Sequence, residues 1–255
     1  MTKAFEGKVA IVTGATTGIG RATALAFAQQ GAKVALAGRR EAEGLQAVEE
    51  ITRAGGTARF FRTDVSREED VAALVKGTVQ AFGRLDIAVN NAGVESRPVP
   101  FTDLTPEDYE RVIGTNLKGT WLSLRHEIPA LLKSGKGGAI VNVSSVLATA
   151  GCGYCELYAA SKGAIDAMTR SLAVEYATAG LRLNVVAPGT TQTDLLTRAF
   201  GGSDEAAKQF IAANIPMGKV GTSEQVAAAI TWLCSEQAGY ITGQTVNVDG
   251  GWSTR

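Results

Sequence analysis

The sequence predicts an α/β fold of three layers, in which a doubly wound, seven-stranded parallel sheet has helices on both faces. Two observations carry this prediction. Short apolar, β-branched runs alternate with helix-period segments along the whole chain, which is typical of βαβ units. Apolar residues make up 45% of the 255 residues, enough to cover both faces of a sheet, so residues 1–255 are expected to form one domain.

Each strand is predicted from an apolar or β-branched run, and each helix from the longer segment that follows it. The seven strands are expected at Val9–Thr13, Lys33–Ala37, Ala58–Arg62, Ile87–Asn90, Ala139–Val143, Leu181–Val186 and Thr245–Val248. The six helices are expected at Ile19–Gln30, Glu41–Ala54, Arg67–Phe82, Pro106–Lys133, Leu157–Thr178 and Glu224–Cys234. Ser66 and Thr105 precede two of these helices, and their hydroxyls are predicted to cap the first turns.

One segment, residues 190–221, interrupts the alternation and carries Gly201-Gly202 near its middle. An insertion that follows the carboxyl end of a strand predicts a mobile lid over a substrate site. A pair of ordinary surface helices would give the same pattern, so motion is an expectation here.

The charge balance excludes some classes of partner. The chain has 25 basic and 25 acidic residues without a basic stripe, so neither nucleic acid nor an anionic membrane surface is expected to bind. The first residues lack the apolar core of a signal peptide, and no later run is long enough to span a bilayer. A cytoplasmic protein is expected.

The three cysteines are too few for a disulfide framework and are expected to be reduced. Cys152 and Cys155 have the spacing of a redox or zinc-binding pair. However, no second pair follows, and the sole histidine, His126, lies on another segment. No metal is therefore predicted, and the Cys152–Cys155 segment is instead expected to form a pocket wall.

Tyr158 and Lys162 are the most informative residues for function. In a helix, positions i and i+4 share a face, so the Lys162 ammonium would lie beside the Tyr158 hydroxyl and lower its pKa. A surface helix that carries an aromatic residue and a lysine would look the same. The preceding strand, which ends at Ser144 and Ser145, favours a catalytic role, because active sites of open α/β sheets lie at the carboxyl ends of strands.

A glycine-rich turn follows the first predicted strand and precedes an Ala-rich helix. Glycines allow the backbone to approach a pyrophosphate, and the helix N-terminus offers free amides and a positive dipole. The residues of this turn expected to bind a dinucleotide are Gly14, Thr17, Gly18, Ile19 and Gly20.

The spacing Gly14-x-x-x-Gly18-x-Gly20 resembles the fingerprint of the short-chain dehydrogenase/reductase family, which has a Rossmann fold and a nicotinamide cofactor. The resemblance extends over nearly the whole chain and covers the family's Asn-Asn-Ala-Gly, its helix asparagine, its Ser-Tyr-Lys set and its Pro-Gly turn. The matching residues are Asn90, Asn91, Ala92, Gly93, Asn116, Ser145, Tyr158, Lys162, Pro188 and Gly189.

The resemblance implies a reaction and a set of roles. Hydride would pass between nicotinamide and a carbon, converting a ketone to a secondary alcohol or the reverse. Ser145 would donate a hydrogen bond to the substrate oxygen, and Tyr158 would give or take the proton. Lys162 would also hold the nicotinamide ribose, and Asn116 would seat a relay water or merely stabilise a helix kink. Ser144 is the rival to Ser145.

Cofactor choice depends on the end of the second strand. NAD-preferring relatives generally have an acidic residue there, but this chain has Gly38 followed by Arg39 and Arg40, which suits the 2'-phosphate of NADP. The two arginines could instead only flank a solvated helix start, and Thr17 lacks the second basic charge of some NADP-preferring relatives. NADP(H) is therefore expected, with NAD(H) possible.

Further cofactor contacts are implied by position. Asp64 and Val65 resemble the adenine-binding pair, although Asp64 could simply cap the next helix. After Pro188-Gly189, Thr191 stands where the family commonly has an aliphatic residue; its backbone would hold the carboxamide, and Thr193 would contact the phosphates.

The pocket and the assembly are less defined by the sequence. The pocket residues expected from position include no arginine that could bind a carboxylate or phosphate, so a neutral or largely apolar carbonyl compound is favoured. These pocket residues are Glu95, Leu147, Cys152, Tyr154, Leu195 and Phe200. The resemblance implies a homotetramer built on the two long helices. A non-catalytic dinucleotide sensor and an isomerase or dehydratase on the same scaffold remain as alternatives.

Overall fold

A single sheet of seven parallel strands forms the centre of the protein, as seen in a computed structural model that describes residues 3–135, 137–192, 209 and 211–254. The strand order is β3-β2-β1-β4-β5-β6-β7, so the chain reverses direction across the sheet between β1 and β4. The strands are β1 (Val9–Thr13), β2 (Lys33–Gly38), β3 (Thr57–Arg62), β4 (Ile87–Asn90), β5 (Gly138–Val143), β6 (Leu181–Pro188) and β7 (Thr245–Val248). All seven predicted strands are confirmed, with ends that differ by at most two residues.

The helices lie on both faces of this sheet. They are α1 (Gly18–Gln29), α2 (Glu41–Arg53), α3 (Glu68–Phe82), α4 (Pro106–Ile113), α5 (Gly119–Leu132), α6 (Glu156–Tyr176) and α7 (Ser223–Cys234). Strand β1 shows why a helix layer is needed on each face of the sheet. Val12 packs into a core with α1 and α7, and Ile11 packs into a core with α3 and α5 on the other face. The predicted three-layer, doubly wound fold is confirmed.

The long helix predicted over 106–133 is divided in two. A π-helical segment, Gly114–Lys118, separates α4 from α5, and Asn116 is in this segment. π-Turns of this kind often mark functional sites, and the spacing of apolar residues alone does not reveal them.

Two predicted helix caps have different outcomes. Thr105 accepts a hydrogen bond from the Asp108 amide at 3.3 Å and forms a capping box, as predicted. Ser66 does not cap α3, because its hydroxyl donates to Asp64 Oδ1 at 2.7 Å and the helix begins at Glu68 with Arg67 before it. The prediction for Ser66 was wrong because the Asp64 carboxylate accepts the hydrogen bond of its hydroxyl.

The base of the 190–221 insertion is tied together. Thr191 forms a parallel bridge with Gly221, and the Gln192 amide donates to the Gly221 carbonyl at 2.8 Å. Most of the predicted lid, including residues 193–208, lies outside the described residues, as do the predicted pocket residues Leu195 and Phe200. No helix in the described ranges is both long enough and apolar enough to cross a membrane.

Candidate active site

The glycine turn after β1 is packed against the turn after β4. The Asn91 side-chain amide donates to the carbonyls of Thr13 at 3.0 Å and Gly14 at 3.2 Å. A Cβ on Gly14 would lie 2.8 Å from that amide nitrogen, and one on Gly20 would lie 2.3 Å from the Gly14 oxygen. Gly14 and Gly18 also have positive φ, of 64° and 54°. These glycines are therefore required by packing as well as suited to a close ligand.

The Thr13 hydroxyl reinforces this junction. It accepts hydrogen bonds from the backbone amides of Asn91 at 3.0 Å and Ala92 at 3.2 Å. The two turns meet between β1 and β4, where the strand order reverses and where doubly wound sheets bind their ligands.

The start of α1 has the chemistry of an anion site. Its N-cap residue, Thr17, makes no side-chain capping bond, and the first turn, with Ile19 in it, has no acidic residue. The Arg40 guanidinium donates to the hydroxyls of Thr16 at 3.0 Å and Thr17 at 2.6 Å, which places a cation beside this helix end. Dipole, free amides and cation together fit the phosphates of a dinucleotide.

Arg39 and Asp64 lie on the neighbouring strand ends. Arg39 is exposed, and its charge acts on Asp64. Burial opposes ionisation of Asp64, but hydrogen bonds from Ser66 and the charges of Arg39 and Arg67 outweigh it and keep the pKa of Asp64 below its ordinary value. Asp64 therefore organises the turn before α3 and is anionic at neutral pH.

Val65, the second residue of the predicted adenine pair, is buried with 7% exposure. It packs against the start of α5, where a Cβ on Gly119 would lie 2.7 Å from Val65 Cγ2.

Asn116 holds the turn after β4 through both ends of its amide. Its Oδ1 accepts from the Val94 amide at 2.8 Å, and its Nδ2 donates to the Val94 carbonyl at 2.9 Å and to Ser161 Oγ at 3.0 Å. The side chain is fully buried. It thus joins the π-helical segment to the turn and to α6, the arrangement expected of a residue that stabilises a kink.

Gly93, in the same turn, leaves space beside two predicted catalytic residues. A Cβ there would lie 3.4 Å from Asn116 Oδ1 and 3.5 Å from Lys162 Nζ. Both distances are ordinary van der Waals contacts, so Gly93 brings the backbone of this turn close to the lysine without being required there by packing.

The two serines after β5 point in different directions, as strand alternation requires. The Ser144 hydroxyl donates to the Lys162 carbonyl at 3.2 Å, whereas the Ser145 hydroxyl interacts with the side chain of Tyr158. Ser145 also accepts the Leu147 amide at 3.2 Å. Of the two, Ser145 is the serine that meets the tyrosine.

Tyr158 and Lys162 lie on adjacent turns of α6. The Tyr158 amide donates to Ser96 Oγ at 3.0 Å, so the turn after β4 also fixes the start of this helix. The Lys162 Nζ lies 5.5 Å from the centre of the Tyr158 ring and donates to the Val143 carbonyl at 2.8 Å. Ser96 was not singled out from the sequence, since a loop serine carries no pattern of its own.

The pKa of Tyr158 moves opposite to the predicted direction. Burial raises it to about 12, with the charges of Glu95 and Cys155 adding to the effect and the hydrogen bond with Ser145 opposing it. Burial also lowers the pKa of Lys162 to about 8, although Asp166 opposes the change. The prediction that Lys162 lowers the pKa of Tyr158 was wrong, because the sequence gives no measure of how little water reaches these groups.

The remaining predicted cofactor residues follow β6. Pro188 ends the strand, and Gly189 packs so closely that a Cβ would lie 2.7 Å from the Asp249 Cα. Thr191 is buried with 8% exposure, and its hydroxyl donates to the Gly189 carbonyl at 3.1 Å. Thr193 lies outside the described residues.

A cavity of about 410 Å³ opens near the residues that follow Ser145. Its lining was missed by sequence reasoning because it joins segments far apart in the chain; it consists of Thr149, Ala150, Gly151, Asn214, Trp252 and Ser253. The half-buried Cys152 and Cys155 thiols lie on the same loop. Within the described residues, no group of three or more His, Cys, Asp or Glu side chains is arranged to hold a metal.

The sequence is similar to a family of known proteins over nearly its whole length. Residues 14–253 match a family model described as enoyl-(acyl carrier protein) reductase. An uncharacterized oxidoreductase of Thermotoga maritima is 41% identical, over 97% of this chain and 98% of the relative. A glucose 1-dehydrogenase of Gluconobacter oxydans is 42% identical, over 97% of this chain and 92% of the relative.

A solved structure, that of levodione reductase, superposes on this fold with a TM-score of 0.93 at 34% sequence identity. The match covers 98% of this chain and 99% of the other. Together with the Ser145, Tyr158 and Lys162 geometry, these similarities identify the chain as a member of the short-chain dehydrogenase/reductase family, an NAD(P)-dependent oxidoreductase that acts on CH–OH groups.

Proposed function

We propose that this protein interconverts a ketone and a secondary alcohol with NADP(H), using Tyr158 as the acid and base. The observation that carries the proposal is the convergence of Ser145, Tyr158 and Lys162 at the carboxyl end of β5. Ser145 meets the Tyr158 side chain, and the Lys162 Nζ lies 5.5 Å from the tyrosine ring.

Each residue has a distinct role in this proposal. Ser145 donates a hydrogen bond to the substrate oxygen, where negative charge develops, and Tyr158 exchanges a proton with that oxygen. Lys162 holds the nicotinamide ribose and contributes positive charge, and the Asn116 segment seats a water that passes protons to Lys162. When bound, the nicotinamide supplies or accepts the hydride.

Tyr158 carries its proton in the folded protein at neutral pH. Burial raises its pKa to about 12, so the phenol holds this proton more tightly than an ordinary tyrosine does. Reduction of a carbonyl needs this protonated form, whereas oxidation of an alcohol needs the phenolate.

The preference for NADP rests on the end of β2. Gly38 leaves no carboxylate there, and a Cβ at this position would lie 2.7 Å from Thr16 Cγ2, so an acidic side chain would need Thr16 to move. Arg39 is exposed beside the site, and Arg40 is held against the glycine turn by the hydroxyls of Thr16 and Thr17. Two arginines suit a 2'-phosphate.

The proposal is tested by following reduced-nicotinamide absorbance with NADPH and NADH in parallel, against a panel of ketones, keto esters and diketones. We expect turnover with a lower KM for NADPH. Arg39→Asp should raise the KM for NADPH roughly tenfold or more, because the contact is charge-assisted and the new carboxylate repels the phosphate. Arg53→Asp makes the same charge change at the far end of α2 and serves as the control.

The outcomes separate the parts of the proposal. A preference for NADH would overturn the arginine assignment but leave the oxidoreductase. Binding of both cofactors without hydride transfer across the panel would support a sensor, and product formation without absorbance change would support an isomerase.

We also propose that the protein is a cytoplasmic homotetramer that pairs through its long helices and takes a small neutral carbonyl or alcohol substrate. Exposed apolar side chains on α5 and α6 support such pairing, namely Trp121 and Val174. Sedimentation of the purified protein would test the assembly, and a monomer at micromolar concentration would refute it.

A further inference from the structure

A cluster of buried polar side chains lies beneath the candidate active site. We call it the Asn–Glu clamp; it consists of Asn90 on β4, Glu127 on α5, Asn142 on β5 and Thr169 on α6. The Asn90 amide donates to Glu127 Oε2 and to Asn142 Oδ1, both at 3.0 Å, and the Asn142 amide donates to Thr169 Oγ1 at 2.9 Å. None of the four is more than 3% exposed.

Among the residues that the structure describes, two oxygens of the clamp have no hydrogen-bond partner. They belong to the two residues whose side chains already bond each other. They are Asn90 Oδ1 and Glu127 Oε1. Both hydrogens of the Asn90 amide are used, so the pair has two buried acceptors and no donor left. One proton on the Glu127 carboxyl would supply the missing donor, and it would remove a buried negative charge.

The charged groups around the clamp are directed elsewhere. On α5 itself, Arg125 and His126 face Glu68 of α3, at 3.6 and 3.2 Å. On α6, Asp166 interacts with Ser144, Arg170 and Lys162. In the π-helical segment, Lys118 acts on Glu69 of α3.

The two strands of the clamp have no titratable side chain. Burial, opposed only by the Asn90 hydrogen bond, raises the pKa of Glu127 to about 7.

We propose that Glu127 is a positioning residue that holds a proton in the folded protein up to near-neutral pH and, through the Asn–Glu clamp, fixes the ends of β4 and β5 for catalysis. Asn90 directly precedes the turn Asn91–Gly93, which packs on the glycine turn. Asn142 directly precedes Val143, whose carbonyl accepts Lys162 Nζ. A shift of the clamp would therefore move both the cofactor turn and the lysine.

The bound proton is tested by unfolding in urea between pH 5 and 8, a measurement that does not depend on the proposed function. An ordinary glutamate titrates near 4.5, so between that pH and about 7 the folded protein holds a proton that the unfolded chain has lost, and wild-type stability falls as the pH rises. Glu127→Gln has no proton to lose, and its amide can donate to Asn90 Oδ1. Its urea midpoint should exceed that of the wild type more at pH 8 than at pH 5.

Positioning is tested by kinetics, and this arm rests on the proposed function. Glu127→Leu should lower kcat and raise the KM for NADPH, together roughly tenfold or more in kcat/KM, because small displacements of reacting groups are costly. Glu127→Gln should keep wild-type values. Ile128→Ala, a core truncation at the adjacent residue on the same helix, is the control, and it should lower stability while leaving KM unchanged.

The results decide each claim separately. A midpoint difference that is equal at pH 5 and 8 would show that no proton is held, and loss of activity in Glu127→Gln would show that charge is needed. If Glu127→Leu and Ile128→Ala have the same kinetics, the clamp contributes only to packing and does not position the catalytic groups. If Glu127→Leu does not fold, Glu127→Gln and the pH dependence still test the protonated clamp. Absence of wild-type turnover would defeat the proposed function while the urea test still stands.

Discussion

The two ends of the candidate active site are built in opposite ways. At the catalytic end, Lys162 is 3% exposed and is held by the Val143 carbonyl, and Tyr158 is fixed by Ser96 and Ser145. At the arginine end, the Arg40 side chain is 50% exposed; it is held by two threonine hydroxyls and by an ion pair with Glu43 at 3.9 Å.

This contrast shows where each property of the site comes from. Burial raises the pKa of Tyr158 to about 12 and lowers that of Lys162 to about 8, so their chemistry depends on the residues packed around them. Exposed arginines keep their charge whatever surrounds them, so cofactor preference depends on which residues are present. A change at the catalytic end should therefore affect rate and stability, and a change at the arginine end should affect only affinity.

The largest effect is expected at Tyr158. Tyr158→Phe removes the proton donor but keeps the ring, so kcat should fall by about 10²–10⁴-fold with little change in the KM for NADPH. Initial rates by absorbance measure this, with Tyr109→Phe on the exposed surface of α4 as the control. Wild-type kcat in Tyr158→Phe would remove the basis for the proposed acid and base.

The charged form of buried Lys162 should lower the free energy of unfolding, whereas the charge of exposed Arg40 should not. The folded-state pKa of Lys162 is about 8, below the ordinary value of 10.5, so between these pH values the folded protein binds fewer protons and its stability rises with pH. Methionine carries no charge, so the stability of Lys162→Met does not have this pH dependence. Its free energy of unfolding relative to the wild type should therefore drop by about 3 kcal/mol from pH 7 to above pH 10.5.

Chemical denaturation at a series of pH values measures the Lys162 effect. Arg40→Met is the matched variant, and its difference from the wild type should not change with pH, because arginine stays protonated throughout. Parallel pH profiles for the two variants would mean that Lys162 is not desolvated, and the contrast between the two ends would fail.

The smallest effect is expected at Thr17. Thr17→Val keeps the shape of the side chain but removes the hydroxyl that accepts from Arg40 at 2.6 Å. Because the contact is exposed and Thr16 still holds the guanidinium, the KM for NADPH should rise only about two- to fivefold, with kcat unchanged. An equal rise in the KM for NADH would show that Thr17 acts on the shared phosphates and not through Arg40.

Elements with a strong periodic pattern could be predicted from the sequence. The strands at Val9–Thr13 and Ile87–Asn90 have the expected bounds, because a parallel strand covered on both faces needs a mainly apolar or β-branched run of residues. The edge strand Thr245–Val248 also has the expected bounds, although every second residue of it is exposed. The Thr105 cap was also predictable, since the Asp108 that completes it lies three residues away.

Features that depend on contacts between distant segments could not be predicted. In the π-helical segment, the Asn116 amide bonds Val94 and Ser161, which lie 22 and 45 residues away in the sequence. Glu127 looks like an ordinary helix carboxylate in the sequence, and only its position against Asn90 shows that it is buried and partly unpaired.

The sequence by itself therefore determined the doubly wound fold and the family, and it predicted Ser145, Tyr158 and Lys162, which the structure brings together at the carboxyl end of β5. These depend on local periodicity and on motifs whose spacing is visible along the chain. The tertiary structure decided which serine meets Tyr158, how Arg40 is held, and in which direction the pKa values of Tyr158, Lys162 and Glu127 move. The exclusion of water and the hydrogen bonds between separate strands and helices set these properties, and both arise only when the chain folds.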